Sequence, residues 1–211
     1  MSLLRKLESF FSMRSRRAPS TAGFTLVELM VSIAIFGIMT ALVVAKYGTF
    51  NQSVLLTDLA YDVALTLRTA QTYGLSVTRT GEQNDVDAFQ YAYGIHFSKQ
   101  TNSNKEFILY TVQASDSSPE YRYTSGGGIE VSRFLLKRGA TISNLEVCLS
   151  GVSCTEVNQL DVAFKRPDPS ARICGNSGQC DAFSAIITIQ ATDDSTRTVI
   201  VRENGQISVS N

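Results

Sequence analysis

The chain has 211 residues, 19 basic and 19 acidic, with one histidine, four cysteines and no tryptophan. A formal charge of zero gives no overall footprint for a nucleic-acid binder. One histidine leaves no nucleophile, base and orienter to assemble, and the length suffices for one domain with its own core beside an N-terminal appendage.

Residues 1–22 carry Arg5, Lys6, Arg14, Arg16 and Arg17 against Glu8 alone. From Phe24 to Ala45 run 22 residues with a single charge, Glu28. As a helix this run is about 33 Å long, enough to cross a bilayer's hydrocarbon core. A basic flank before an apolar run is also how a secretory signal begins, but such apolar regions measure roughly 7–15 residues. No small-x-small cleavage site follows either, since Val44-Ala45-Lys46-Tyr47-Gly48 is a poor candidate. The run is therefore expected to stay with the protein. The positive-inside rule keeps residues 1–22 in the cytoplasm and exports the chain after Lys46. A carboxylate inside a membrane helix is costly and marks function, unless it sits at the interface.

Gly23-Phe24-Thr25-Leu26-Val27-Glu28, with a basic leader before it and an apolar helix after it, resembles the class III signal of type IV pilins and type II secretion pseudopilins. The resemblance implies that a membrane prepilin peptidase cuts after Gly23 on the cytoplasmic side and methylates the new amino group of Phe24. It implies that Glu28, the fifth mature residue, pairs with the N-terminus of a neighbouring subunit during assembly. It further implies an inner-membrane assembly platform, sister pilin or pseudopilin subunits and the lipid bilayer as partners. One departure stands out: many members have a proline near mature position 22, where this chain has Ala45, leaving Gly37 as the weak point inside the helix.

From Lys46 to Tyr73 the pattern turns amphipathic. Leu56, Leu59, Ala60, Val63, Leu67 and Ala70 recur at spacings of three and four and predict one buried stripe, with Asp58, Asp62 and Arg68 off it. Gly74 is the expected stop. Strand-like alternation follows from Leu75 to Thr80, and 81–89 reads as a polar loop. Tyr91–Ser98 alternates, with Tyr93, Ile95 and Phe97 on one face and His96 on the other, where it is expected to meet solvent. Lys99–Lys105 is a turn, and Glu106–Ala114 a strand.

Ser115–Gly128 is a long polar connection containing Tyr121-Arg122-Tyr123 and a glycine run. That trio offers a stacking surface for single-stranded nucleic acid; a strand edge or subunit contact is the simpler reading. Further strands are expected at Ile129–Lys137, Thr141–Leu149, Gln159–Lys165 and Phe183–Ala191, with Arg166–Ser170 as a rigid turn. Arg197–Arg202 and Ile207–Val209 form a closing hairpin through Glu203-Asn204-Gly205. The phrases at residues 67–75 and 198–207 resemble the GspH-like and FimT-like minor-pseudopilin branch. This implies an α+β fold, the pilin ladle: a long N-terminal helix, membrane-spanning in its first half, packed on an antiparallel β-sheet head. The expected divisions are 1–23 cleaved leader, 24–45 membrane and filament-core helix half, 46–74 amphipathic half, and 75–211 head.

The cysteines form two C-x5-C pairs, Cys148/Cys154 and Cys174/Cys180. An exported head favours disulfides. Three pairings exist, and the two local ones are preferred. A four-cysteine zinc site, which prefers shorter spacing, and free buried thiols are the alternatives. Asp168, Asp193 and Asp194 are candidates for calcium, without the spacing of a calcium loop. No cofactor and no catalytic residue is expected. The leading function is a structural subunit of a pilus or pseudopilus, minor by its head's resemblance or else the major pilin. The alternatives are a minor pilin that binds DNA for uptake and a membrane-anchored domain that does not assemble. The region after Gly23 carries a net charge of −4. Arg197 and Arg202, five apart, point to opposite faces of a strand, so no basic patch supports DNA.

Overall fold

The computed structural model describes residues 23–76, 91–113, 121–123, 127–150, 153–176 and 180–210. It divides into two compact units, one ending at Lys46 and one beginning at Tyr47.

The first unit is the start of helix α1, Leu26–Leu75. Between Leu26 and Val44 every large apolar side chain is more than half exposed. Leu26–Ala45 is long and apolar enough to cross a membrane. Such a helix, apolar all round, is stable only where something other than water covers it.

In the second unit α1 behaves in the opposite way. Its stripe is buried throughout: Leu56, Leu59, Ala60, Val63, Leu67 and Ala70 are all under 5% exposed. The strands are β1 Tyr91–Ser98, β2 Glu106–Gln113, β3 Ile129–Leu135, β4 Thr141–Ser150, β5 Ser153–Glu156, β6 Gln159–Lys165, β7 Asp168–Gly175, β8 Ser184–Gln190, β9 Thr196–Arg202 and β10 Ile207–Ser210. They form two five-stranded sheets, in the orders β3-β2-β1-β6-β7 and β10-β9-β8-β4-β5. All the pairings are antiparallel. The fold is α+β as expected, with two sheets against the helix in place of one. A single core joins the helix stripe to Ile95, Phe97 and Phe164 of the first sheet and Leu145, Ile187 and Val201 of the second.

Polar clamps fix the helix end. The Gln71 amide donates to the carbonyls of Pro169 and Gly205, each at 3.3 Å. Gly205 has φ +81°, and a Cβ there would lie 2.6 Å from Gln71 Nε2. This turn therefore needs glycine for both conformation and space.

Four expectations are corrected. Gly74 does not stop the helix, which runs to Leu75; a Cβ on Gly74 would lie 2.8 Å from the Phe164 carbonyl carbon. Its role is close helix–strand packing, and Leu75 is helical, not the start of a strand. The rigid turn shrinks to Arg166–Pro167, because β7 begins at Asp168. Pro169 is tolerated there because β7 is an edge strand. Cys148 and Cys154 lie opposite each other on paired strands, β4 with β5. His96, finally, is 6% exposed; the outer face of the first sheet is covered where alternation predicts solvent. The expected strand beyond Ser76, the loop at 81–89, and residues 115–120 and 124–126 lie outside the described residues.

Candidate functional site

Gly23 and Phe24 precede the helix outside any helix or strand, and Phe24 is 82% exposed. Thr25 caps the helix. The Glu28 N–H donates to Thr25 Oγ1 at 3.2 Å, and the Leu29 N–H to the Thr25 carbonyl at 3.1 Å. Thr25-x-x-Glu28 has the spacing of a capping box, a signal the motif-level reading passes over. A carboxylate in the first turn also meets the positive end of the helix dipole. Glu28 thus has a local reason to sit where it does, and it is exposed. Further along, the Ser32 hydroxyl donates to the Glu28 carbonyl and the Thr40 hydroxyl to the Phe36 carbonyl, both at 2.7 Å. Hydroxyls satisfied within the helix suit an apolar environment. Gly23, Phe24 and Glu28 therefore lie within the entry and first turn of one apolar helix.

A family model described as the prokaryotic N-terminal methylation motif matches residues 19–44. The chain carries that motif. It is typical of the type IV pilin and pseudopilin superfamily and names no branch within it. The methylation motif ends at Val44, before the head begins. No curated protein and no solved structure matches the chain.

The head holds a polar cluster that sequence reasoning missed. His96 Nδ1 lies 2.8 Å from Asp161 Oδ1, with both side chains buried. The Tyr123 N–H donates to the same oxygen at 3.3 Å. Tyr110 is fully buried and donates to the Tyr121 carbonyl. Burial, and then the neighbouring Asp161 charge, push its phenol well above its usual range. Arg122 is 7% exposed and donates to the carbonyls of Gly175, at 3.2 Å, and Asn176. Tyr121-Arg122-Tyr123 is thus a strap pinned across the first sheet. It is neither a strand edge nor an open stacking surface, because its guanidinium is turned inward. The signal available was complementary: His96 and Asp161 are polar positions on strands whose other face is apolar.

Cys148 is bonded to Cys154 and Cys174 to Cys180. The aspartates considered for calcium are engaged locally. Asp168 accepts from the Ser170 N–H at 2.9 Å and Asp193 from the Ser195 N–H at 3.2 Å; Asp194 accepts from Gln190 at 3.0 Å. Ser170 and Ser195 hydrogen bonds hold Asp168 and Asp193, respectively, below the usual carboxylate range. Among the described residues no group of three or more His, Cys, Asp or Glu is arranged to hold a metal.

Proposed function

We propose that this chain is a structural subunit of a type IV pilus or type II secretion pseudopilus. It is made with a cytoplasmic leader, residues 1–23, cleaved after Gly23 by a prepilin peptidase and N-methylated at Phe24. The observation that carries this reading is the methylation motif at 19–44 leading into a helix whose large apolar side chains from Leu26 to Val44 are exposed among the described residues. Lipid covers that surface first. After extraction by the inner-membrane assembly platform, the helices of sister subunits replace lipid by apolar packing. Glu28, exposed near the helix start, pairs with the methylated amine of a neighbouring Phe24, which relieves the cost of a carboxylate in an apolar setting. The head lies in the periplasm and then on the filament surface. Its two disulfides suit an oxidising compartment.

The head's resemblance to minor pseudopilins favours a subunit present in few copies. The DNA-uptake reading loses support because Arg122 is buried. The test is incorporation. Filaments sheared from cells should contain the wild-type subunit. A Glu28→Ala variant should be cleaved normally and be depleted from filaments. Equal incorporation of the two would overturn the pairing role, and absence of the wild-type subunit from every filament fraction would overturn the assembly reading.

A further inference from the structure

The outer face of the first sheet carries a cavity of about 240 Å³ whose groups the assembly reading leaves unused. Strand register builds its floor. Asp161, His96, Ile108 and Arg133 form one row across β6, β1, β2 and β3. Ser98 opposite Gln159 begins the next row, and Glu106, two residues before Ile108, shares that face. Tyr123 of the strap and Gln100 and Ser103 of the β1–β2 turn complete the lining. A floor on paired strands holds its side chains in fixed geometry.

The charges here already have partners. Arg133 binds Glu106 and donates to Glu130 from Nε at 3.1 Å and Nη2 at 2.7 Å. Asp161 is matched by His96. A carboxylate only accepts, so His96 Nδ1 carries the hydrogen, and Nε2 is left to a group that can both donate and accept, such as a hydroxyl. What remains is a set of neutral donors and acceptors: the hydroxyls of Ser98 and Ser103, the amides of Gln100 and Gln159, and His96 Nε2. Beside them lie the Tyr123 ring and the Ile108 side chain.

This lining selects among ligand classes. A charged ligand would meet no unengaged countercharge. An apolar ligand would leave amides and hydroxyls unpaired, which costs binding free energy. The volume is below the roughly 300–1,000 Å³ of drug-sized pockets, which restricts the ligand to about one ring. A ring with hydroxyls at its edge and C–H groups on its face satisfies both kinds of lining. We propose that this cavity binds a single neutral hexopyranose residue. Its C–H face lies against Tyr123 and its hydroxyls bond to Gln100, Gln159, Ser103 and His96 Nε2. The site lies within the second unit and is independent of residues 23–45.

The test is saturation-transfer NMR on the full-length protein in bilayer nanodiscs. The probes are methyl glycosides of glucose, galactose and mannose, with acetate and methylammonium as charged controls. The methyl cap stands in for a glycosidic link, so a chain-terminal residue is tested as well as a free one. Transfer to at least one neutral glycoside is expected, strongest at ring C–H protons. Gln159→Ala should weaken binding several-fold to about tenfold, the loss of one hydrogen bond. Gln100→Ala, on the exposed turn, should do the same without touching the sheet. Tyr61→Ala, outside the cavity, should leave binding unchanged. Transfer to none of the glycosides, transfer to charged controls alone, or binding unaltered in both Gln variants would overturn the proposal.

Discussion

The two parts of α1 are one helix by backbone and opposites by burial. From Leu26 to Val44 each large apolar side chain is open; from Leu56 to Ala70 the apolar stripe is closed. Both contain enough apolar surface to drive association. The difference is pattern. An amphipathic face at period 3.6 finds a complementary sheet in its own chain. A helix apolar on every side has no face to choose and is stable only where something other than water covers it. Hydrophobicity says that a segment will be covered, and its periodicity says by what.

The largest effect that sharpens this contrast comes from truncating a core leucine. Leu67→Ala should destabilise the head by about 2–5 kcal/mol, whereas Leu42→Ala in the open half should leave head stability unchanged. Urea unfolding of the full chain in nanodiscs, followed by tyrosine fluorescence, reads both. A loss in both variants would break the contrast.

Removing a disulfide comes next. Each joins cysteines six residues apart, and a loop that short gives about 2 kcal/mol from restricted unfolded-state entropy. Replacing either pair with alanines should lower the unfolding free energy read from the same urea series by a similar amount.

Two of the helix glycines, Gly37 and Gly74, provide a matched pair. Gly74→Ala drives a Cβ into the Phe164 backbone and should cost roughly 1–3 kcal/mol, as overpacking does. At Gly37 a Cβ meets nothing within 4 Å, so Gly37→Ala should be neutral for the head and raise helix propensity locally. The same urea series measures both.

The smallest effect is electrostatic. The Ser195 hydroxyl and N–H hold Asp193 below its ordinary pKa of 3.8. A depressed folded pKa contributes stability that is present above the unfolded value and lost as pH falls through the folded one. Asp193→Asn should therefore flatten the acid side of the stability profile slightly, read by thermal melts across the acid range. A steeper acid side would contradict the assignment.

Much of the head was legible from periodicity. The helix stripe is buried at all six positions, and β1, β2, β6, β8, β9 and β10 fall close to their expected bounds. The misses share a cause: they depend on what lies across from a segment, not on the segment itself. His96 follows the alternation that marks a solvent face, yet the strap at 121–123, distant in sequence, covers it. β7 contains Pro169, a turn signal, and pairs because an edge strand spares one N–H. β5 is four exposed residues with no alternation to read. At the N-terminus the motif was legible residue by residue, because its chemistry is local. Even there the Thr25 cap, whose Oγ1 accepts from the Glu28 N–H, was hidden behind the functional reading of the same residues.

Mass spectrometry of the N-terminal peptide from the exported protein tests the central claim most directly. The account predicts a chain that begins at Phe24, heavier by one methyl group on its amine, with the apolar helix retained. A mature chain beginning after Ala45, with that segment discarded, would contradict it.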